Sequence, residues 1–150
     1  MKIREVRMVI FMEAHENPHS GNEEIKKKFN YTFVGIWKEG LAKARQNGNW
    51  FHIRPDGSPV YSQRYDYADD FLNGFAGVRK GDLWSHIKTD GTLAHGQWFL
   101  WVLDFKIKPG LEEEGLLATV RNQDNGRKKG ETFEIRPDGT RLHPKAPEAQ

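Results

Sequence analysis

Two histidines four residues apart bracket a glutamate in His15-Glu16-Asn17-Pro18-His19. On a helix, that spacing puts both imidazoles on one face to hold zinc, with the glutamate as base for a metal-bound water. Pro18 works against it, because proline removes an amide donor and biases Asn17 away from helical backbone. No third ligand follows at a suitable spacing, so a polar turn is the simpler reading and no metal or cofactor is expected. A second set alternates bases with rings: Arg45, Trp50 and His52, then Arg79, Trp84 and His86, with Arg54, Lys88 and Arg136 beyond. An arginine directly opposite a tryptophan stacks on it for about 0.5–1 kcal/mol. Rings interleaved with bases suit single-stranded nucleic acid or another anion. The same pairs also serve as cross-strand scaffold, and that is the simpler reading. A third set, Arg127-Lys128-Lys129, charges a loop. Ser20, Ser58, Ser62 and Ser85 lack the strand–turn–helix setting of an activated serine. Asp69-Asp70 has no evident partner, and no glycine-rich phosphate loop is present. With no convergent catalytic set, no enzymatic activity is expected.

The elements that carry these residues are repeats. Asp-Gly recurs at Asp56-Gly57, Asp90-Gly91 and Asp138-Gly139, each shortly after Ile53-Arg54, Ile87-Lys88 or Ile135-Arg136. The first two copies are 34 apart (87 − 53 = 34) with no gap. Tyr31 matches Tyr65, Phe33 matches Tyr67, Trp37 matches Phe71, Trp50 matches Trp84, and His52 matches His86. Phe99, Trp101 and Phe105 begin a third copy in register. It then lengthens around 106–113 and 122–131, so that Ile135 lies 48 beyond Ile87 (135 − 87 = 48). Such periodicity means stacked units, none able to bury its apolar face alone.

Within a unit, Asn47-Gly48 is a strong two-residue hairpin signal. Registering on it pairs Gln46 with Asn49, Arg45 with Trp50, Ala44 with Phe51, Lys43 with His52, and Ala42 with Ile53. Ala42, Ala44, Phe51 and Ile53 then share the buried face; Lys43, Arg45, Trp50 and His52 share the other. Around Gly81-Asp82 the same logic buries Ala76, Val78, Ser85 and Ile87, with Arg79, Trp84 and His86 opposite. The spacing therefore predicts an all-β chain of three tandem antiparallel hairpin or meander units. Its expected parts are an N-terminal cap over 1–30, units over 31–64, 65–98 and 99–143, and a tail over 144–150. Within the cap, 2–12 reads as a strand and 22–29 as a short helix with Asn22 as N-cap.

The pattern Tyr65-Asp66, Phe71, Gly74-Phe75-Ala76-Gly77-Val78, Trp84, Ile87 and Asp90-Gly91 resembles the bacterial WG (KWG) repeat family over about residues 31 to 143. Trp is followed by Phe51 and Ser85 rather than Gly, and the third copy has Thr132-Phe133; a less crowded backbone is expected there. The resemblance implies tandem β units and no particular reaction.

Composition fits a repeat. Only 37% of the 150 residues are apolar while 12% are aromatic, with fifteen Gly and seven Pro for turns. Zero Cys excludes disulfides and thiolate metal sites, and a net charge of +2 gives no overall basic field. No segment reads as a membrane span or signal peptide, so a cytoplasmic location is the default. The expected function is a non-enzymatic binding module that recognises protein through its loops and the open edge of the stack. The alternatives are an anionic-ligand or nucleic-acid binder using the Arg/Trp/His face, and a metal-dependent hydrolase around His15 and His19.

Overall fold

The computed structural model describes residues 20–144. The strand expected over 2–12, the His15/His19 pair and the tail beyond residue 144 lie outside the described residues. The first element is helix α1 (Ser20–Phe29), with Glu23 in its first turn and Lys26, Lys27 and Lys28 in its last, complementing the helix dipole. Asn22 is not the N-cap. It sits inside the helix, buried, where its amide donates to the Gly35 carbonyl (3.1 Å) and its carbonyl accepts from the Trp37 indole N–H (2.9 Å). A tertiary tie to the first sheet has taken the place of a local cap.

Three antiparallel meanders follow. The first holds β1 (Phe33–Lys38), β2 (Leu41–Gln46) and β3 (Asn49–Ile53); the second holds β4 (Tyr67–Ala68), β5 (Phe75–Lys80) and β6 (Leu83–Lys88). The third orders β7 (Trp101–Val102), β9 (Leu116–Arg121) and β10 (Thr132–Ile135), and β8 (Lys106–Ile107) pairs with β9. A short 3₁₀ turn, Glu112–Glu114, lies in the first of the lengthened stretches. The β2–β3 register has all five pairs expected from Asn47-Gly48, from Gln46↔Asn49 to Ala42↔Ile53. Both turn residues have positive φ (52° and 79°), as a type I′ turn requires. The chain is thus all-β apart from α1 and the single 3₁₀ turn, among the described residues.

The buried face is the Ala/Ile face. Ala42, Ala44, Phe51 and Ile53, then Ala76, Val78, Ser85 and Ile87, then Ala118, Val120 and Ile135 are all at most 1% exposed. At residue 51, where a glycine was missed, the phenyl ring fills the core between the Tyr31 ring (5.3 Å) and the Arg64 guanidinium (3.9 Å). The units are hydrogen-bonded end to end. The Trp50 N–H donates to the Tyr65 carbonyl (2.8 Å) and Tyr65 donates back (2.9 Å); Trp84 and Phe99 exchange the same two bonds at 2.8 Å. Each Asp-Gly turn is closed in one way: Asp56, Asp90 and Asp138 accept from the backbone and hydroxyl of Ser58, Thr92 and Thr140.

Candidate functional site

Opposite the Ile face, strand pairing lines up Phe33, Arg45 and Trp50 across the first sheet, then Tyr67, Arg79 and Trp84 across the second. Trp101 and Arg121 continue the row, which ends on Thr132. Phe33 and Trp50 lie 5.4 Å apart, Trp50 and Tyr67 5.3 Å, and Tyr67 and Trp84 5.8 Å. The Arg45 guanidinium lies 5.7 Å from the Trp50 ring centre and the Lys43 ammonium 5.6 Å. Phe33 and Arg45 are exposed, and Trp50, Tyr67, Arg79 and Trp84 are half-buried. The Arg/Trp pairs are therefore assembled side by side as expected.

His52 and His86 do not join them on the surface. Each is 1% exposed, because the next unit closes over this part of the face. The Phe71 ring lies 4.4 Å from His52, and Phe105 4.4 Å from His86. The His52 Nε2–H donates to the Asp69 carbonyl (2.7 Å), leaving Nδ1 to accept from the Tyr61 hydroxyl (2.6 Å). The His86 Nε2–H donates to the Leu103 carbonyl (2.8 Å), and Nδ1 accepts from His95 Nε2 (3.0 Å). The His95 Nδ1 in turn accepts from the Gln97 N–H (3.1 Å). Burial pushes His52 and His95 down to about 4 and pushes His86 down as well. These are neutral clasps between units, not ligand-binding groups.

Asp69-Asp70 does gain a partner: Asp70 Oδ1 lies 4.0 Å from Lys43 Nζ, across the joint between the first two units. Burial and neighbouring Asp104 raise the Asp69 carboxyl above its usual range. Arg127, Lys128 and Lys129 are exposed on the 122–131 loop, which folds back through an Asn125–Lys128 pair and an Asp124 bond to the Gly130 N–H (2.8 Å). Among the described residues, no cluster of His, Cys, Asp and Glu is arranged to hold a metal. No helix among them is long and apolar enough to cross a membrane.

A feature the sequence did not locate lies at the far end of the stack. Along a strand, successive backbone N–H and C=O pairs point to opposite sides. The Arg121 carbonyl accepts from Leu100, toward β7, and the Asn122 N–H donates to the Glu131 carbonyl. Thr132, paired with Arg121, therefore turns its own N–H and C=O outward, as Trp50 and Trp84 do. At Trp50 and Trp84 that outward edge is taken by Tyr65 and Phe99; at Thr132 no described residue takes it. A groove of about 580 Å³ lies along this edge, with Leu111, Phe133 and Leu142 as apolar lining, Glu113, Glu114 and Glu134 as carboxylates, and Arg141 and His143 as bases; the Arg141 guanidinium covers the Phe133 ring (4.3 Å), and Glu114 is paired with Arg136 (3.0 Å). Glu134 stands where His52 and His86 stand; it accepts from Thr119 Oγ1 (2.6 Å) and lies 3.2 Å from Lys108 Nζ.

Residues 19–50 and 53–84 match the family model of the WG containing repeat. The two matches are 34 residues apart (53 − 19 = 34), the period read from the sequence. No curated protein and no solved structure shows significant similarity to the chain. The third unit lies outside the match, yet keeps the Phe99, Ile135 and Asp138-Gly139 positions and the paired meander. Two tandem units of the chain thus match the WG containing repeat, and a third unit of the same architecture follows them.

Proposed function

We propose that this chain is a non-catalytic protein-binding module whose binding edge is β10. One observation carries the reading: among the described residues none takes the outward backbone of Thr132, whereas the equivalent Trp50 and Trp84 both have a partner there. An unpaired strand edge beside an apolar groove is the ordinary basis of β-strand addition, in which main-chain bonds give affinity and side-chain pockets give selectivity. Thr132→Pro tests it. Proline deletes an outward N–H that makes no backbone bond inside the sheet, together with one exposed side-chain bond, from the Arg121 guanidinium to the Thr132 hydroxyl (3.2 Å); Thr132→Val, which loses that bond and keeps the N–H, is the control expected to retain the partner. A protein co-purifying from the source cell is expected to be lost with Thr132→Pro and kept with Arg79→Ala. Equal recovery with both variants overturns the reading.

The ring-and-base row supports a second reading, the binding of an anionic ligand across Phe33, Arg45, Trp50, Tyr67, Arg79 and Trp84, since exposed and half-buried rings, tilted against one another, alternate there with cations. Single-stranded oligonucleotide binding at low salt, falling steeply as salt rises, is the expected behaviour. No binding at low salt removes it.

A further inference from the structure

We infer that the second unit holds a site for a small carboxylate with a flat apolar body, in a cavity of about 410 Å³ beside the Asp90-Gly91 turn. Small-molecule sites usually measure about 300–1,000 Å³. Gln63, Arg64, Tyr65, Lys80, Leu93 and Trp98 are the lining residues that matter. None of them belongs to the β10 edge or to the ring-and-base row, so the site stands or falls apart from both.

The repeat shows how this corner differs from its equivalents. In the first unit the chain fills it. The Phe29 ring packs against Gly57, the Tyr31 hydroxyl donates to the Gly57 carbonyl (2.7 Å), and the Gln46 amide donates to the Phe29 carbonyl (3.0 Å). In the third unit Gln97 takes the corner, donating to the Gly139 carbonyl (3.0 Å). In the second unit Gln63, Tyr65 and Lys80 stand where Phe29, Tyr31 and Gln46 stand in the first (63 − 29 = 34). Here Tyr61 packs against Gly91 instead, and its hydroxyl turns inward to His52 (2.6 Å). The Gln63 carbonyl, the counterpart of the one that Gln46 reaches, already accepts from Arg64 Nη1 (2.9 Å). Gln63 itself is exposed. Tyr31, Tyr61 and Tyr67 each have a hydroxyl partner, whereas the Tyr65 hydroxyl has none among the described residues. Tyr65 is only 5% exposed, its oxygen is not sealed from solvent, and the residue lines this cavity.

Charge selects the ligand's head. The lining carries two bases and no acid. The carboxylates nearby in sequence are turned elsewhere: Asp66 accepts from the Gly81 N–H (2.7 Å), and Asp90 accepts from the Thr92 N–H (2.9 Å) and hydroxyl (2.6 Å). Asp82 is exposed and forms no ion pair with Lys80. Arg64 lies over the Phe51 ring (3.9 Å) and spends Nη1 on the carbonyls of Tyr61, Ser62 and Gln63. Lys80 has no partner among the described residues, so one ammonium is left to meet one negative charge. The other carboxylate oxygen then accepts from Tyr65, whose pKa burial raises, keeping it a neutral donor. Half-buried Trp98, which stands where Arg64 does one repeat earlier (98 − 64 = 34), and exposed Leu93 supply the apolar wall.

The test is sodium benzoate titrated into the full chain and read by NMR on the Trp98 indole N–H resonance, assigned by its loss in Trp98→Phe. Benzoate is expected to move that resonance saturably, with neutral benzamide and cationic benzamidine at least tenfold weaker. Tyr65→Phe removes a hydroxyl that no described residue bonds. It is expected to weaken benzoate about tenfold while leaving the urea midpoint unchanged. Lys80→Glu is expected to abolish binding and Lys80→Arg to keep it. A titration that leaves the Trp98 resonance in place overturns the inference, whether another part of the chain covers the cavity or the cavity has no affinity. Equal binding of benzamide, or binding indifferent to Tyr65→Phe and Lys80→Glu, overturns it too.

Discussion

At the scale of single residues, the buried histidines make the joints acid-sensitive. His52, His86 and His95 are each held in one neutral tautomer by a donor on one nitrogen and an acceptor on the other. For His52, burial lowers the folded value to about 4, while the unfolded chain titrates near 6.5. The unfolded state therefore takes up the proton first as pH falls. Stability is full above about pH 6.5, declines below it, and levels off near pH 4, with a loss on the order of 3 kcal/mol from His52 alone. Urea midpoints at pH 7.5 and pH 4.5 measure this. His52→Gln is expected to be weaker at pH 7.5 but to lose less on acidification, and an unchanged pH difference would disprove the clasp. Trp50 is half-buried in the ring row rather than enclosed, so Trp50→Ala is expected to lower stability by less than the roughly 3–5 kcal/mol of a core aromatic deletion. Chemical denaturation reads the difference. The alternation of faces was legible because a period of two needs only neighbouring residues. The burial of His52 was not, because it depends on Phe71 and Asp69 arriving from the next unit.

At the scale of elements, turns set register and glycines set how closely units approach. Asn47-Gly48 announced its hairpin; Glu39-Gly40 and Asn73-Gly74 turn β1 into β2 and Leu72 onto Phe75 in the same positive-φ manner, without an equally plain signal in Glu39. The Asp-Gly glycines have a second duty. Gly91 has φ +89°, and a Cβ there would meet the Tyr61 side chain at 2.5 Å. Gly48 has φ +79° with nothing within 4 Å. Gly48→Ala therefore carries only the left-handed backbone penalty, about 1–2 kcal/mol. Gly91→Ala adds overpacking against the neighbouring unit, for a total of about 2–4 kcal/mol. Thermal midpoints of the two variants measured side by side test this, and equal shifts would refute the close approach. The open edge of the stack was foreseeable as a kind of feature but not as Thr132, since the direction of that N–H depends on how the lengthened 122–131 loop returns β10 to Arg121.

At the scale of the whole molecule, the many aromatics in a chain of low apolar content are explained by where they sit. Phe71 and Phe105, 34 apart (105 − 71 = 34), are 2% and 0% exposed, and each packs on the histidine of the preceding unit. Phe105 also lies 4.8 Å from Phe75, so it ties the second unit to the third. The first two units share one apolar cluster, and the third has its own around Phe99, Phe105, Ala118, Val120 and Ile135. In a stack coupled mainly through nearest neighbours, removing a joint residue uncouples what lies beyond it. Phe105→Ala should lower stability by about 3–5 kcal/mol in total. Its loss of amide protection in hydrogen exchange should fall on β9 and β10, with β2 and β3 keeping theirs. Phe71→Ala should instead strip protection on both sides of the first joint, because the first two units have no separate cores to fall back on. If Phe105→Ala deprotects β2 and β3 as much as β10, the three units unfold as one, and the Thr132 edge is then as firmly held as the centre of the stack rather than sitting on its most separable unit.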